Sequence, residues 1–311
     1  MTPGRAGAAL DLVVLCAGRG ERLRPLTDSC PKPLLPVAGV TMADRALLAG
    51  EKLGPVRRIA NAHHLPEQVQ VWAEARHLDH VLVEPELLDT GGTLGRLESL
   101  GELVSQHVLV HNGDLVHDID LEAAWSAHLE SSADATLVCV DRPRVNTVVV
   151  REGRFKGVLG HPRGPREIAQ GRTALTFSGI AFYKRRVFAG RADGVWSVKE
   201  VWHDLLESEA TILVHKPGPE SRWSDLGTAS EYARAIQEDL RRRGLVSWID
   251  PSVEVPATTR ILPGCSVEIG VEIGAGAMVE KSVLLPGAVV LPGECVNGIL
   301  RNASGDLPWH P

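Results

Sequence analysis

This 311-residue chain contains neither long apolar runs nor the cysteine spacings of common metal sites. No apolar run approaches the ~20 residues that a spanning helix needs, so the sequence predicts no membrane association. The apolar N-terminal segment has no separate charged region or cleavage site, and we interpret it as a short tail and a buried strand. The five cysteines form no CxxC pair and no Cys/His pattern typical of zinc, which favours reduced thiols and a cytoplasmic location. A formal net charge of −6 argues against a nucleic-acid partner.

The N-terminal part of the chain alternates short apolar strands with amphipathic segments. This alternation predicts an α/β domain over residues 1–246, with a Rossmann-like, mostly parallel sheet flanked by helices. The predicted strands are 10–17, 56–62, 80–85, 107–114 and 135–140, and the predicted helices are 41–53, 66–77, 93–101 and 120–130. Ligands bind outside the carboxyl ends of such strands, so polar residues at those ends are the first site candidates.

The remainder of the chain, residues 247–311, has a six-residue period. Aliphatic residues recur at Val255, Ile261, Val267, Ile273, Val279, Leu285 and Leu291, and small or apolar residues follow four positions after each. This period predicts a short parallel β-helix with three hexads per coil. Its left-handed sense rests on a resemblance to the hexapeptide-repeat domains of acyltransferases. So short a solenoid has open edges, which predicts a homo-oligomer formed through this domain, with the tail 298–311 covering one end.

Two glycines and several cations follow the first strand in LCAGRGERLRPLTDSCPKPLLPVAG (15–39). Gly18 and Gly20 let backbone N–H groups approach a phosphate, although a GxG pattern also suits a Rossmann loop or a plain turn. The sequences GxGxxG and GxxxxGK[ST] are both absent. Prolines on either side of Lys32 fix the chain around a cation. We therefore assign phosphate contacts to Arg22 and Lys32, and we interpret the neighbouring Arg19 and Arg24 as solvated.

This stretch resembles the motif of the sugar-1-phosphate nucleotidyltransferases, whose members usually read LAAGxGxRLxPLT…PKPLxPVxG. The similarity continues through the N-terminal domain in TGGTL (90–94), NGD (112–114), TFSGI (176–180) and WSDLGT (223–228). The resemblance implies Mg²⁺-dependent transfer of a nucleoside monophosphate from an NTP to a sugar 1-phosphate, which gives an NDP-sugar and pyrophosphate. It leaves the base and the sugar open. TFSGI and WSDLGT are similar to bacterial members that use N-acetylmuramate 1-phosphate and UTP, whereas the β-helix also occurs in mannose-1-phosphate guanylyltransferases and heptose relatives.

The two metal-ligand aspartates of the family match Asp114 and Asp225, which implies Mg²⁺ as cofactor. Each also follows an apolar segment, a position that suits a cation with few protein ligands, although Asp225 alternatively caps the next helix. The resemblance completes the predicted site with nucleotide contacts at Ala17, Gly18, Gly20, Asn61, Thr90, Gly91 and Gly92, and sugar-phosphate contacts at Asn112, Gly179 and Glu200. The alternatives are a loop-filling role for Asn61 and an exposed helix carboxylate for Glu200.

The sugar pocket departs from the family at one place. The Glu-Lys-Pro triplet of many members is absent, and Arg163 and Arg166 are the candidate replacements for its lysine. Two other functions stay open: a non-catalytic sugar-nucleotide-binding regulatory subunit, and a bifunctional enzyme with acyltransferase activity in the β-helix. The four residues Arg22, Lys32, Asp114 and Asp225 favour catalysis. The hexads contain no catalytic histidine, which disfavours acyl transfer.

Overall fold

The computed structural model describes residues 8–191 and 193–309. The helices are α1 Met42–Glu51, α2 Pro66–Ala75, α3 Asp89–Ser99, α4 Leu121–Ser131, α5 Val198–Glu207 and α6 Ala229–Arg242. The strands before residue 247 are β1 Leu10–Leu15, β2 Pro36–Val37, β3 Val40–Thr41, β4 Arg57–Ala62, β5 His80–Val83, β6 His107–Asn112, β7 Val116–His117, β8 Ala135–Val140, β9 Val148–Arg151, β10 Arg154–Val158, β11 Thr173–Lys184, β12 Ile212–His215 and β13 Trp223–Ser224. The later strands are β14 Trp248–Ile249, β15 Arg260–Ile261, β16 Ser266–Val267, β17 Glu272–Ile273, β18 Met278–Glu280, β19 Val283–Leu284, β20 Val289–Val290, β21 Cys295–Asn297, β22 Ile299–Asn302 and β23 Gly305–Pro308.

A nine-stranded sheet in the order β5-β4-β1-β6-β11-β8-β12-β10-β9 forms the centre of the N-terminal part. Its two faces bury different side chains of β1, because successive residues of a strand point to opposite sides. Val13 packs in a cluster with Leu94 of α3 and Trp202 of α5. Leu12 and Val14 pack in a second cluster with side chains of α1, α2 and α4. Helices therefore cover both faces, and the five predicted strands and four predicted helices are present with small shifts at their ends.

The sheet is mixed, so the prediction of a mostly parallel sheet is wrong. β5, β4, β1 and β6 are parallel, whereas β11 is antiparallel to both β6 and β8. The connection between β9 and β10 consists of Glu152 and Gly153, which have φ values of 51° and 70°. Two consecutive residues in the left-handed region favour a tight hairpin, and parallel strands need a crossover of about a dozen residues or more. The local backbone thus dictates the antiparallel pairing of β9 with β10, whereas β12 pairs parallel with β8.

Residues 247–309, hereafter the C-terminal unit, form three short sheets of parallel strands. Along one sheet, Trp248 pairs with Ser266, Ser266 with Val283, and Val283 with Leu300. Successive partners are therefore 18, 17 and 17 residues apart, and the other two sheets repeat this spacing. The arrangement is compatible with a parallel β-helix, and its handedness stays a prediction.

The hexad series of the C-terminal unit is correct at its centre and wrong at its ends. Val267 and Val279 are fully buried inside the unit, whereas Leu285 is buried against the N-terminal part, Leu291 is 62% exposed and Val255 is 36% exposed. The inward positions after Val279 are Leu284, Val290 and Val296. The step from 279 to 284 is five residues rather than six, and it shifts the later phase by one position. This shift explains why Leu291 is exposed. Val255 precedes the first buried position of the series.

The last strand folds back on the C-terminal unit. β23 pairs antiparallel with β22, from Ile299–Pro308 to Asn302–Gly305. The tail therefore covers one edge of this sheet, which an additional parallel strand would otherwise extend. Association of copies through the C-terminal unit stays a prediction.

A third apolar cluster joins the C-terminal unit to the N-terminal part. Leu23, Leu26 and Leu35 from the segment after β1 are buried together with Leu300 and Trp309. α6 supplies further members of the same cluster, among them Tyr232, Ile236 and Leu240. The two parts thus share a core that lies directly behind the glycine and lysine segment.

Neither membrane spans nor disulfides are found in the part of the chain that the structure describes. Among residues 8–191 and 193–309, no helix is both long and apolar enough to cross a bilayer. All five cysteines are free thiols, and Cys16, Cys139 and Cys265 are buried. Burial raises the pKa of each of these three thiols, so they stay protonated.

Buried histidines predict a loss of stability in acid. Burial and the nearby positive charges of His107 and Lys184 lower the pKa of His128 well below its ordinary value of 6.5. The folded state therefore keeps His128 neutral while the unfolded state protonates it. The resulting stabilisation is complete above pH 6.5 and is lost as the pH falls towards the folded-state pKa.

We expect the free energy of unfolding to decrease between pH 7.5 and pH 5, measured by urea denaturation. Each such histidine contributes a slope of up to about 1.4 kcal/mol per pH unit below its unfolded pKa. His128→Gln removes one titrating group, so its slope is expected to be shallower whatever its absolute stability. Identical slopes in the wild type and the variant would contradict this assignment.

Candidate active site

The segment that follows β1 forms one wall of a cavity of about 740 Å³. It runs through three 3₁₀ turns, Glu21–Leu23, Leu26–Asp28 and Lys32–Leu34. Gly20 has a φ of 64°, and a Cβ atom there would lie 2.8 Å from the Thr27 methyl group. Gly18 faces open space. Gly20 is therefore required by the fold of the segment, while Gly18 leaves backbone accessible to a ligand.

Most of the predicted site residues meet in this cavity. Its walls include Ala17, Gly18, Gly20, Arg22, Lys32, Asn61, Thr90, Asn112 and Asp114. Asp225 lies on the wall of a neighbouring cavity of about 750 Å³, which Arg22 also lines. Gly91, Gly92, Gly179 and Glu200 belong to neither wall. The structure thus groups the phosphate and metal candidates more closely than the sugar candidates.

Lys32 connects the two predicted metal ligands. Its side chain is buried, and its Nζ donates to Asp114 Oδ2 at 2.7 Å and to the backbone oxygen of Asp225 at 2.6 Å. A buried ammonium group needs such acceptors to offset its lost hydration. The contacts bring together chain segments that follow β6 and β13, so the lysine marks the point where the two aspartates converge.

Arg22 lies against the turn that follows Asp225. A Cβ atom on Gly227 would come within 2.6 Å of the Arg22 Nη atoms, so only glycine allows the guanidinium group this position. Sequence analysis quoted Gly227 within a motif but assigned it no role. The alternative role of Asp225 as a helix cap is wrong, because Thr228 Oγ1 accepts the Glu231 N–H at the start of α6.

The two aspartates offer the ligand type that Mg²⁺ prefers. Asp114 Oδ1 and both carboxylate oxygens of Asp225 accept no hydrogen bond from residues 8–191 and 193–309. The same residues contain no group of three or more His, Cys, Asp or Glu side chains arranged around a metal position. Oxygen donors from two carboxylates fit a Mg²⁺ ion whose other ligands are phosphate oxygens and water.

A buried polar network fixes the first residues of the glycine segment. Asn61 Oδ1 accepts the Cys16 N–H at 2.7 Å, and its Nδ2 donates to Glu84 Oε1 at 2.8 Å. Thr93 Oγ1 donates to the same Glu84 oxygen at 2.6 Å. Asn61 therefore lines the cavity and also holds the end of β1 in place. Glu84 and Thr93 were not predicted as site residues, although Glu84 lies near the carboxyl end of the predicted strand 80–85.

Gly91 and Gly92 lie inside α3, which begins at Asp89 rather than at the predicted residue 93. The Gly92 N–H donates to the backbone oxygen of Trp196 at 3.0 Å, and a Cβ atom on Gly91 would overlap the Trp196 ring. The glycine pair therefore does not form an open helix start, because the segment around Trp196 packs against it. Thr90 does line the cavity, and nucleotide contact by the two glycines stays a prediction.

The predicted sugar-phosphate residues occupy two separate places. Gly179 has a φ of 84° and packs against the Asn112 side chain, where a Cβ atom would lie 2.8 Å from Nδ2. Glu200 lies on α5, with Oε1 3.0 Å from His161 Nε2 and Oε2 3.0 Å from Arg163 Nη1. Arg163 also pairs with Asp204 and Glu207. Arg163 and Glu200 therefore neutralise each other, and the sugar roles of Asn112, Gly179 and Glu200 stay predictions.

Comparison with known proteins identifies the family. Residues 12–242 match the family model for nucleotidyl transferases. The chain belongs to this family. The predicted family and enzyme class are thereby confirmed, and the match runs from the third residue of β1 to the end of α6.

Relatives of this nucleotidyltransferase include two enzymes that act on sugar 1-phosphates. The N-acetylmuramate α-1-phosphate uridylyltransferase of Neisseria meningitidis serogroup B is 34% identical over 230 residues, covering 72% of the chain and 95% of that enzyme. The mannose-1-phosphate guanylyltransferase of Mycobacterium tuberculosis is 28% identical over 304 residues, covering 91% of the chain and 80% of that enzyme. The second alignment is long enough to extend into the C-terminal unit.

A solved structure supports the fold of the nucleotidyltransferase. HddC from Yersinia pseudotuberculosis, complexed with GMP-PN, aligns with a TM-score of 0.58 and 18% identity. The alignment covers 74% of this chain and 99% of HddC. At this identity the likeness concerns the fold alone.

Proposed function

We propose that this nucleotidyltransferase transfers a nucleoside monophosphate from an NTP to a sugar 1-phosphate in a Mg²⁺-dependent reaction that releases pyrophosphate. The observation that carries the proposal is the buried Lys32 ammonium group, which Asp114 and the Asp225 backbone hold beside a cavity with an open glycine segment. A fixed cation, two carboxylates and accessible backbone N–H groups together suit a polyphosphate with a bound metal ion. The two named relatives support this substrate class.

The chain binds the NTP phosphates along the glycine segment. Gly18 offers backbone N–H groups where no side chain intervenes. Arg22 neutralises the β- and γ-phosphates, and the nucleoside extends towards Asn61 and Thr90 on the other wall of the cavity. A cavity of about 740 Å³ is within the ~300–1,000 Å³ range of small-molecule sites.

The chemical step needs positioning and charge neutralisation rather than a base. A sugar-phosphate oxygen attacks the α-phosphorus in line, a new P–O bond forms, and the bond to the β-phosphate oxygen breaks with its electron pair leaving on pyrophosphate. The nucleophile is already anionic at pH 7, because the second pKa of a phosphate monoester is ~6. Lys32 stabilises the charge that builds on the α-phosphate. Asp114 and Asp225 would hold Mg²⁺, which would supply Lewis-acid polarisation of the phosphate oxygens.

A pyrophosphate-release screen tests the proposal and selects the substrates. UTP, GTP, dTTP, CTP and ATP are each combined with a panel of sugar 1-phosphates that includes N-acetylmuramate 1-phosphate and mannose 1-phosphate. We expect Mg²⁺-dependent release with UTP or GTP, in line with the uridylyl and guanylyl transfer named for the relatives. Sugar-nucleotide binding without release from any pair would instead support the regulatory-subunit alternative.

A further inference from the structure

We propose that Asn302 and Glu268 of the C-terminal unit are positioning residues, which hold the segment 18–39 in its phosphate-binding shape. The proposal rests on the proposed function, because this segment carries Arg22 and Lys32. It assigns the C-terminal unit a direct part in the reaction, in addition to its predicted part in oligomer formation.

Asn302 binds the segment at a point between Arg22 and Lys32. Its side chain is 6% exposed, and Nδ2 donates to the backbone oxygen of Leu26 at 2.8 Å and to Ser29 Oγ at 3.2 Å. Its Oδ1 accepts the Ser304 N–H at 2.9 Å within the turn between β22 and β23. The amide is therefore fixed by its own unit and presents its donor to the segment.

Glu268 holds the far end of the same segment. Its side chain is 1% exposed, and Oε2 accepts the Gly39 N–H at 2.9 Å while Oε1 accepts from Ser266 Oγ at 2.6 Å. Gly39 has a φ of 88°, and a Cβ atom there would overlap the Trp248 ring. The backbone at Gly39 is thus held by a hydrogen bond that it donates to Glu268 and by the packing of Trp248.

The segment has one side on the C-terminal unit and the other on the cavity. Leu23, Leu26 and Leu35 are buried against Leu300 and Trp309, whereas Gly18, Arg22 and Lys32 line the cavity. Isolated 3₁₀ turns have few internal hydrogen bonds of good geometry. Their shape therefore depends on external contacts, and a small displacement of a phosphate-binding cation lowers the rate steeply.

Asn302→Asp in the full chain is the sharpest test. The variant has the same shape and keeps an acceptor for the Ser304 N–H, but it places an oxygen opposite the Leu26 oxygen where a donor is needed. We expect kcat/KM to fall about tenfold or more. We also expect the amides of residues 20–35 to exchange hydrogen faster than in the wild type.

Asn297→Asp is the matched control. Asn297 is exposed on β21 of the same unit and contacts Glu280 at 3.3 Å, away from the segment. This control is expected to keep wild-type kinetics and exchange. Glu268→Gln keeps an acceptor for the Gly39 N–H and is expected to stay close to wild type, whereas Glu268→Ala loses that acceptor and should behave like Asn302→Asp.

Three results distinguish failure of the positioning role from failure of the proposed function. Wild-type kcat/KM and wild-type exchange in Asn302→Asp would overturn the positioning role. A lowered Tm with unchanged kcat/KM and exchange well below that Tm would also overturn it, since the residue would then be structural only. Should the wild type release no pyrophosphate from any pair, the proposed function fails, and the exchange of residues 20–35 still decides whether the two residues hold the segment.

Discussion

Asp114→Asn and Asp225→Asn are each expected to remove Mg²⁺-dependent pyrophosphate release, with turnover falling about 10³-fold or more. An asparagine keeps the volume of the side chain but loses the negative charge that attracts the cation, and metal stabilisation of a phosphoryl transition state amounts to several kcal/mol. The expected loss of turnover in Asp114→Asn has a second cause, because the Lys32 ammonium group pairs with this carboxylate at 2.7 Å. Initial rates over a Mg²⁺ titration measure the effect.

Asp118→Asn is the control for both aspartate variants. Asp118 follows Asp114 by four residues, is exposed and belongs to neither cavity wall, and it pairs with Arg222 and Arg242, which line the cavity of Asp225. It is expected to leave the Mg²⁺ dependence unchanged. If Asp114→Asn and Asp225→Asn also keep the wild-type Mg²⁺ dependence, the metal assignment is wrong.

Arg22→Ala is expected to lower turnover by ~10²–10³, the scale of losing one preorganised charge donor. The guanidinium group has no acidic partner within the described residues and lies between the two cavities, against Gly227. Its charge is therefore available to the phosphates that leave. Single-turnover measurements at saturating substrates separate this effect from weaker NTP binding.

Arg24→Ala provides the matched control for Arg22→Ala. Arg24 is exposed and pairs with Asp28 at 3.2 Å, in agreement with its interpretation as a solvated residue. An exposed pair of this kind contributes little to stability, so the variant is expected to keep normal activity. Equal losses of turnover in both variants would show that turnover depends on the total positive charge of the segment. Such a result would contradict a specific role of Arg22.

The convergence of Lys32, Asp114 and Asp225 was predictable because each follows an apolar segment or lies in a rigid turn. Strand ends meet at one edge of such a sheet, so residues distant in the chain become neighbours. The motif then gave each residue a chemical role. Edge geometry accounts for Asp114 after β6, whereas Asp225 follows β13 of the separate two-stranded sheet with β7 and was placed by the motif.

Other parts depended on tertiary partners that no local pattern reveals. Gly91 makes room for Trp196 and Gly92 for the backbone oxygen of Gly194, and both partners lie about 100 positions later in the chain. A loop-filling role stayed open for Asn61 beside the predicted nucleotide contact, because its partners Glu84 and Thr93 lie in other parts of the chain. The five-residue step after Val279 escaped detection because aliphatic residues occupy Leu284, Leu285, Val290 and Leu291 alike, so that both phases fit the sequence.

The apolar cluster behind the glycine segment has a consequence for how members of this family can recombine. Leu23 and Leu26 on one side, and Leu300 and Trp309 on the other, are complementary surfaces of a single core. A chimaera that takes residues 247–309 from a relative therefore has to take the matching side of residues 20–40 as well. The segment and the residues that support it must therefore be exchanged together, even though Asn302 and its partner Leu26 are 276 residues apart in the chain.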